Sequence, residues 1–175
     1  MREVTGQQWA ALFSTFERSA WRWEHQGTYY EPNEVEPWRK FRDGEPDELE
    51  WMADWLAGVR SATDAGRTFG RVRVITDPPT DYLRWEMHLA RVNIEAGEDI
   101  RVLGEHQARE LALPEVDFWL FDDTLVAVMH FSDEGFTHAT LHDEPEAVQR
   151  YRDIRDTALA HARVFTADMQ FTGSE

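Results

Sequence analysis

Apolar residues recur along this chain with two different periods, and the places where the period changes mark its elements. Trp9, Leu12, Phe13 and Phe16 fall three and four apart, which predicts a helix over 5–19, with Thr5 as its cap and Gln8 completing a capping box. The period then drops to two. Trp21 and Trp23 alternate with Arg22 and Glu24, a strand signal that puts the Arg and the Glu on one face, where they can pair on the surface or line a cleft beside Tyr29 or Tyr30. Gly27 suggests a turn. Pro32, Pro37, Gly44 and Pro46 then punctuate a charged segment, read as a connecting loop with a helical turn around Trp38 and Phe41. Trp51, Met52, Trp55, Leu56 and Val59 predict a second helix over 47–65, with Asp47 at its start and Gly66 just past its end.

The second half reads more regularly. In FGRVRVIT, residues 69–76, Arg71 and Arg73 alternate with Val72 and Val74, so one face of this strand is apolar and the other holds two guanidinium groups. Asp77-Pro78-Pro79 stops it, and Thr80 or Asp81 can cap a helix over 81–96 whose face carries Tyr82, Trp85, Leu89 and Val92. Gly97 ends that helix, and IRVL at 100–103 is the next strand, which completes a βαβ unit with parallel strands. A short helix over 105–112 precedes DFWLFDDTLVAVMHF, residues 117–131. That stretch is two apolar strands turning at Asp122-Asp123, and it is too poor in polar side chains to meet water on both faces, so it belongs in the centre of a sheet. A third strand over 136–142 continues a meander, a helix follows over 145–164, and the polar tail from 166 is read as flexible. The expectation is a single domain, 1–175, of the α/β (α+β) class. A mixed sheet of about five strands (70–76, 100–103, 116–121, 124–131, 136–142) lies in an α/β core, 67–165, covered by helices, with 1–66 as an N-terminal helical layer and loop.

Composition narrows the function classes. Aromatics at 13%, within a 42% hydrophobic chain, supply enough apolar surface for a real core. A formal charge of −16 repels phosphate backbones and anionic lipid surfaces, so nucleic acid and membranes are poor partners, whereas a basic protein or a cationic ligand fits. The chain has no Cys, which removes disulfides, thiolate metal sites and a Cys nucleophile, and is compatible with a reducing cytoplasm. Neither a secretory h-region nor a membrane-length apolar run is present in this sequence.

Lys40 is the one lysine, and the P-loop, nucleophile-elbow, zincin and dinucleotide signatures are all absent. His138 and His142 share a strand face but stand roughly 13 Å apart, too far for one metal ion. No metal and no cofactor is expected. What remains is polar chemistry on strand faces and helix ends: Arg22, Glu24, Tyr29, Arg71, Arg73, Tyr82, Glu86, Glu98 and Arg101 are the candidate ligand-binding residues. In that cleft arginines would hold anionic groups, tyrosines would stack and carboxylates would orient the arginines.

The strings RVRVITDPPTDYLRWEMHLARVNIEAGEDIRVL and LPEVDFWLFDDTLVAVMHF, with WRWEHQGTY near the start, resemble the DUF6879 family of actinobacterial proteins of unknown function. That resemblance implies a setting beside helix-turn-helix regulators, regulatory or toxin–antitoxin-like. The order of strand, helix, strand, hairpin and final helix is also similar to half of the phospholipase-D-like fold. That family's catalytic H-x-K cannot exist here, because Trp38 stands two residues before Lys40, so such a copy would be catalytically degenerate. The expected function is therefore a non-enzymatic cytoplasmic regulatory or interaction protein binding a partner protein or a small ligand. An alternative is a hydrolase or nuclease-like toxin using acidic residues and a His such as His130. A third reading is a homodimer joined through Trp9, Trp21 or Trp38.

Overall fold

The computed structural model describes residues 2–169. In chain order it runs β1 (Arg2–Val4), α1 (Gly6–Thr15), β2 (Ser19–Glu24), a 3-10 turn Pro32–Glu34 leading into α2 (Val35–Asp43), a second 3-10 turn Glu50–Met52 leading into α3 (Ala53–Asp64), then β3 (Thr68–Ile75), α4 (Asp81–Glu95) and β4 (Asp99–Gly104). It continues with α5 (Glu105–Glu110), β5 (Phe118–Phe121), β6 (Leu125–Ser132), β7 (Gly135–His142), α6 (Pro145–His161) and β8 (Arg163–Val164).

The strands form one open mixed sheet of order β1-β7-β6-β5-β2-β3-β4-β8. β2, β3 and β4 are mutually parallel, as the predicted βαβ crossover requires, while β5, β6 and β7 form the antiparallel meander. The two halves meet where β5 pairs antiparallel with β2. The hairpin at Asp122-Asp123 is tight. Both residues have positive φ, 55° and 61°, which matches the right-handed twist of the strands it joins. Asp122 also ties the turn to the start of β2: its carboxylate accepts the backbone N–H groups of Glu17, Arg18 and Ser19 at 2.7–3.1 Å.

Among the described residues eight strands stand where about five were expected. The additional ones are β2, which the Trp/Arg alternation had marked as extended, and the short edge strands β1 and β8, which carry no period of their own. The segment read as a loop between Pro32 and Pro46 contains a full helix, α2, closed by Gly44 in the left-handed conformation. The Thr5 capping box does not form: Thr5 occupies the cap position, but its hydroxyl makes no capping bond. Thr80 does cap α4, accepting the N–H of Leu83 at 3.0 Å. Gly97 then closes that helix at φ 105°, where a Cβ would lie 2.6 Å from the Thr63 hydroxyl oxygen of α3. Of the tail expected from 166, residues 166–169 are described, and Met169 packs on the cluster around Ile100 and Phe165; the remainder lies outside the described residues.

The sheet has two unlike faces. On the back, Trp21, Trp23, Val72, Val74, Phe118, Leu120, Val126 and Val128 meet α5 and α6 through Ala108, Val148, Tyr151 and Ala158. On the front, α1, α3 and α4 cover Phe69, Trp119, Phe121, Ala127 and Met129. Trp21 is buried within the single chain, and Trp9 and Trp38 pack partly buried against the front cluster, so burial of Trp21 needs no second copy. Among the described residues no helix is long and apolar enough to cross a membrane.

Candidate functional site

The site is built on two neighbouring strands. Parallel pairing of β2 with β3 sets Arg22 beside Arg71 and Glu24 beside Arg73, and the strand period turns all four side chains to the front. Glu24 sits at the middle of this array. Its carboxylate is 3.2 Å from Arg22 Nη2, 3.4 Å from Arg71 Nη1 and 2.7 Å from Arg73 Nε. Each arginine then reaches a second acid: Arg22 to Asp117 at 3.4 Å, Arg71 to Glu98 at 2.5 Å and Arg73 to Glu86 at 2.6 Å. Burial pushes the Glu24 carboxyl up, but Arg22, Arg73 and Arg71 pull harder and hold it well below the usual carboxylate range. The guanidiniums of Arg22 and Arg73 are correspondingly raised, the attraction of the carboxylates outweighing the cost of burial.

Asp117 immediately precedes β5 and is almost fully buried. Its Oδ1 accepts the backbone N–H of His25 at 3.0 Å, and its Oδ2 accepts the Tyr29 hydroxyl as well as Arg22. Tyr29 thereby anchors the segment after β2 to the sheet. Burial, reinforced by Glu24 and Asp117, pushes the Tyr29 hydroxyl well up, so it remains a donor.

Above the network lies a cavity of about 530 Å³ between the sheet and the helices. Arg22, Glu24 and Arg71 form its floor, and Glu31, Glu34 and Glu86 reach it from one side. Its walls are aromatic: Trp9 and Phe13 from α1, Trp51 and Trp55 around the start of α3, Tyr82 from α4, Trp119 from β5 and Phe136 from β7. The Arg22 guanidinium lies 5.4 Å from the Tyr29 ring centroid and 5.8 Å from that of Trp119, within cation–π range. Trp55 donates its indole N–H to Asn93 Oδ1 at 2.8 Å, which fixes that wall. Glu34 accepts the Tyr82 hydroxyl at 2.6 Å. Burial, followed by the nearby charge of Glu86, pushes the Glu34 carboxyl up to about 7 despite that hydrogen bond.

The structure brings Arg22, Glu24, Tyr29, Arg71, Tyr82 and Glu86 to this cavity and sets Arg73 and Glu98 in the ion network beside it. Arg101 does not join them. It alternates with Ile100 and Val102, whose side chains pack with α4 residues on the front, so it lies on the other face and pairs with Asp99 at 3.0 Å. Arg22, Arg71 and Arg73 are met mainly by the protein's own acids in an internal ion network. Three contributors escaped the sequence reading. Asp117 heads a wholly apolar strand, where a lone acid is a signal in itself. Glu34 sits in the proline-rich segment, where no period marks a buried face. Asn93 hides on α4, one position past Val92. Among the described residues, no group of three or more His, Asp or Glu could hold a metal ion, and no histidine lines the cavity.

No curated protein matches this chain. The family model for the domain of unknown function DUF6879 matches residues 7–167, and the chain belongs to that family.

Proposed function

We propose that this protein is a non-enzymatic binding module of the cytoplasm that takes up a small molecule in the front-face cavity and presents its liganded state to a partner protein. The observation that carries this reading is the pairing of an aromatic-walled cavity with a buried ion network beneath it. Ligand sites are concave and largely apolar, with a few convergent polar groups that set orientation, and this cavity has that composition. The alternative of a hydrolase or nuclease-like toxin using acidic residues and a His has less support: carboxyl groups line the cavity but no histidine does, and His130 instead stacks on His138 with ring centroids 4.3 Å apart and meets Thr140 at 2.9 Å. A helix-turn-helix regulator is the kind of partner that the family resemblance implies, and a regulatory role follows if ligand and partner binding are coupled.

The test is to purify the protein from its native host without harsh washing and to identify co-eluting small molecules and proteins by mass spectrometry. A stoichiometric small molecule is expected, released on denaturation. Preparations that carry a stoichiometric protein and never a small molecule would replace this reading with a purely protein-docking one.

A further inference from the structure

From the charge balance of the cavity we infer that its ligand is an organic cation: a primary ammonium with a neutral hydrogen-bond acceptor nearby and an apolar body. The inference deepens the proposed binding function and rests on it. In the ion network beneath the cavity, three guanidiniums (Arg22, Arg71, Arg73) face four carboxylates (Glu24, Glu86, Glu98, Asp117), which leaves one negative charge over. Glu31 and Glu34 add two more carboxyl groups to the cavity lining, and among the described residues neither is in an ion pair. Glu34 is faced by the Tyr82 hydroxyl and Glu86 from α4, Glu24 from β2 and Glu31 beside its own turn, while Arg22 draws on Glu31 and Arg73 on Glu86 and Glu24. A carboxylate or phosphate entering this space would add like charge to an already negative enclosure. An ammonium would be drawn to Glu34 and would stack against the electron-rich faces of Tyr82 and Trp51.

The acceptor follows from the floor. Arg71 is only 8% exposed, lines the cavity, and makes its hydrogen bonds through Nε and Nη1, which leaves Nη2 for an acceptor on the ligand. A hydroxyl or carbonyl oxygen answers this donor without bringing a charge. The apolar body takes the remaining aromatic wall. Glu34 must be ionised to hold the ammonium, and a carboxyl raised to about 7 loses its proton when a cation arrives, so affinity rises with pH through neutrality.

Three probes of nearly one shape separate the terms: 2-amino-3-phenyl-1-propanol (cation), 3-phenyl-1-propanol (neutral) and 3-phenylpropionate (anion). Each is titrated into the full chain at pH 8 while tryptophan fluorescence is followed, since four indoles line the cavity. The cation is expected to bind about tenfold tighter than the neutral alcohol, with the anion weakest. In Glu34→Gln most of that preference is lost, while binding of the neutral alcohol is unchanged and reports that the cavity is intact. Equal or tighter binding of the alcohol or the anion overturns the cation assignment and leaves the cavity as a binding site. A full cation preference retained in Glu34→Gln overturns the assignment as well. No response to any of the three overturns both the assignment and the small-molecule reading.

Discussion

The two faces of β2 and β3 are made by the same residues' neighbours. Trp21, Trp23, Val72 and Val74 point back, and Arg22, Glu24, Arg71 and Arg73 point forward from the alternate positions. The back face is buried mainly by apolar packing, which is non-directional and tolerant of small shifts. The front face is buried by charge pairing, in which each guanidinium needs its acid at bonding distance and loss of one member leaves another unmet. One backbone thus carries a face that holds the fold together and a face that can recognise something. The helices follow suit: α6 packs Val148, Tyr151 and Ala158 onto the back of the sheet, whereas α1, α3 and α4 leave an open volume directly over the polar side chains of the front.

The largest effect should come from the back. Trp23 is fully buried, and its indole N–H donates to the Pro114 carbonyl at 2.9 Å, so Trp23→Ala is expected to cost about 3–5 kcal/mol in chemical denaturation, through both a cavity and an orphaned carbonyl. A loss below 1 kcal/mol would erase the contrast between the faces. Next comes Glu98→Gln, which keeps the shape but weakens the bond to Arg71; a loss of about 1–3 kcal/mol is expected, with ligand binding intact in the folded variant because Glu98 does not line the cavity. If binding vanished while stability held, Glu98 would belong to the site itself rather than to its support.

The smallest effect is a slope. The Glu34 carboxyl moves from an ordinary 4.5 to about 7 on folding, so the folded chain holds the extra proton between those values and stability falls as pH rises through that window. Glu34→Gln should flatten that part of the melting-temperature profile. A slope equally steep in the variant would assign it to another group. Glu24 works in the opposite sense: its carboxyl is depressed, so its contribution is present above the ordinary 4.5 and fades only as pH drops below it.

Much of this architecture was legible because period carries it. The Arg/Val alternation of 71–74 and the Trp/Arg/Glu alternation of 21–24 announced which side chains share a face, and Arg22, Glu24 and Arg71, three of the six candidates that line the cavity, reached it for that reason. Arg101 has the same alternation and failed, since period tells which residues go together and not toward which side of the sheet they go. Edge strands of two or three residues cannot show a period. β1 and β8 exist because β7 and β4 offer them free backbone groups. Glu34 was beyond reach because its environment is assembled by Tyr82, 48 residues away, and no local pattern encodes that meeting.

The side-by-side register of β2 and β3 also guards the fold against its own near-misses. Sliding β2 by one residue would swap Trp23 with Glu24, thrusting a carboxylate among the valines of the back and an indole among the arginines of the front. Apolar strands alone would discriminate weakly between neighbouring alignments, since one greasy contact resembles the next. Four acids and three arginines that pair with each other in one alignment favour that alignment, because a mispaired one would leave charges buried without a partner. The feature that shapes the cavity floor is therefore also what makes the chain choose one pairing.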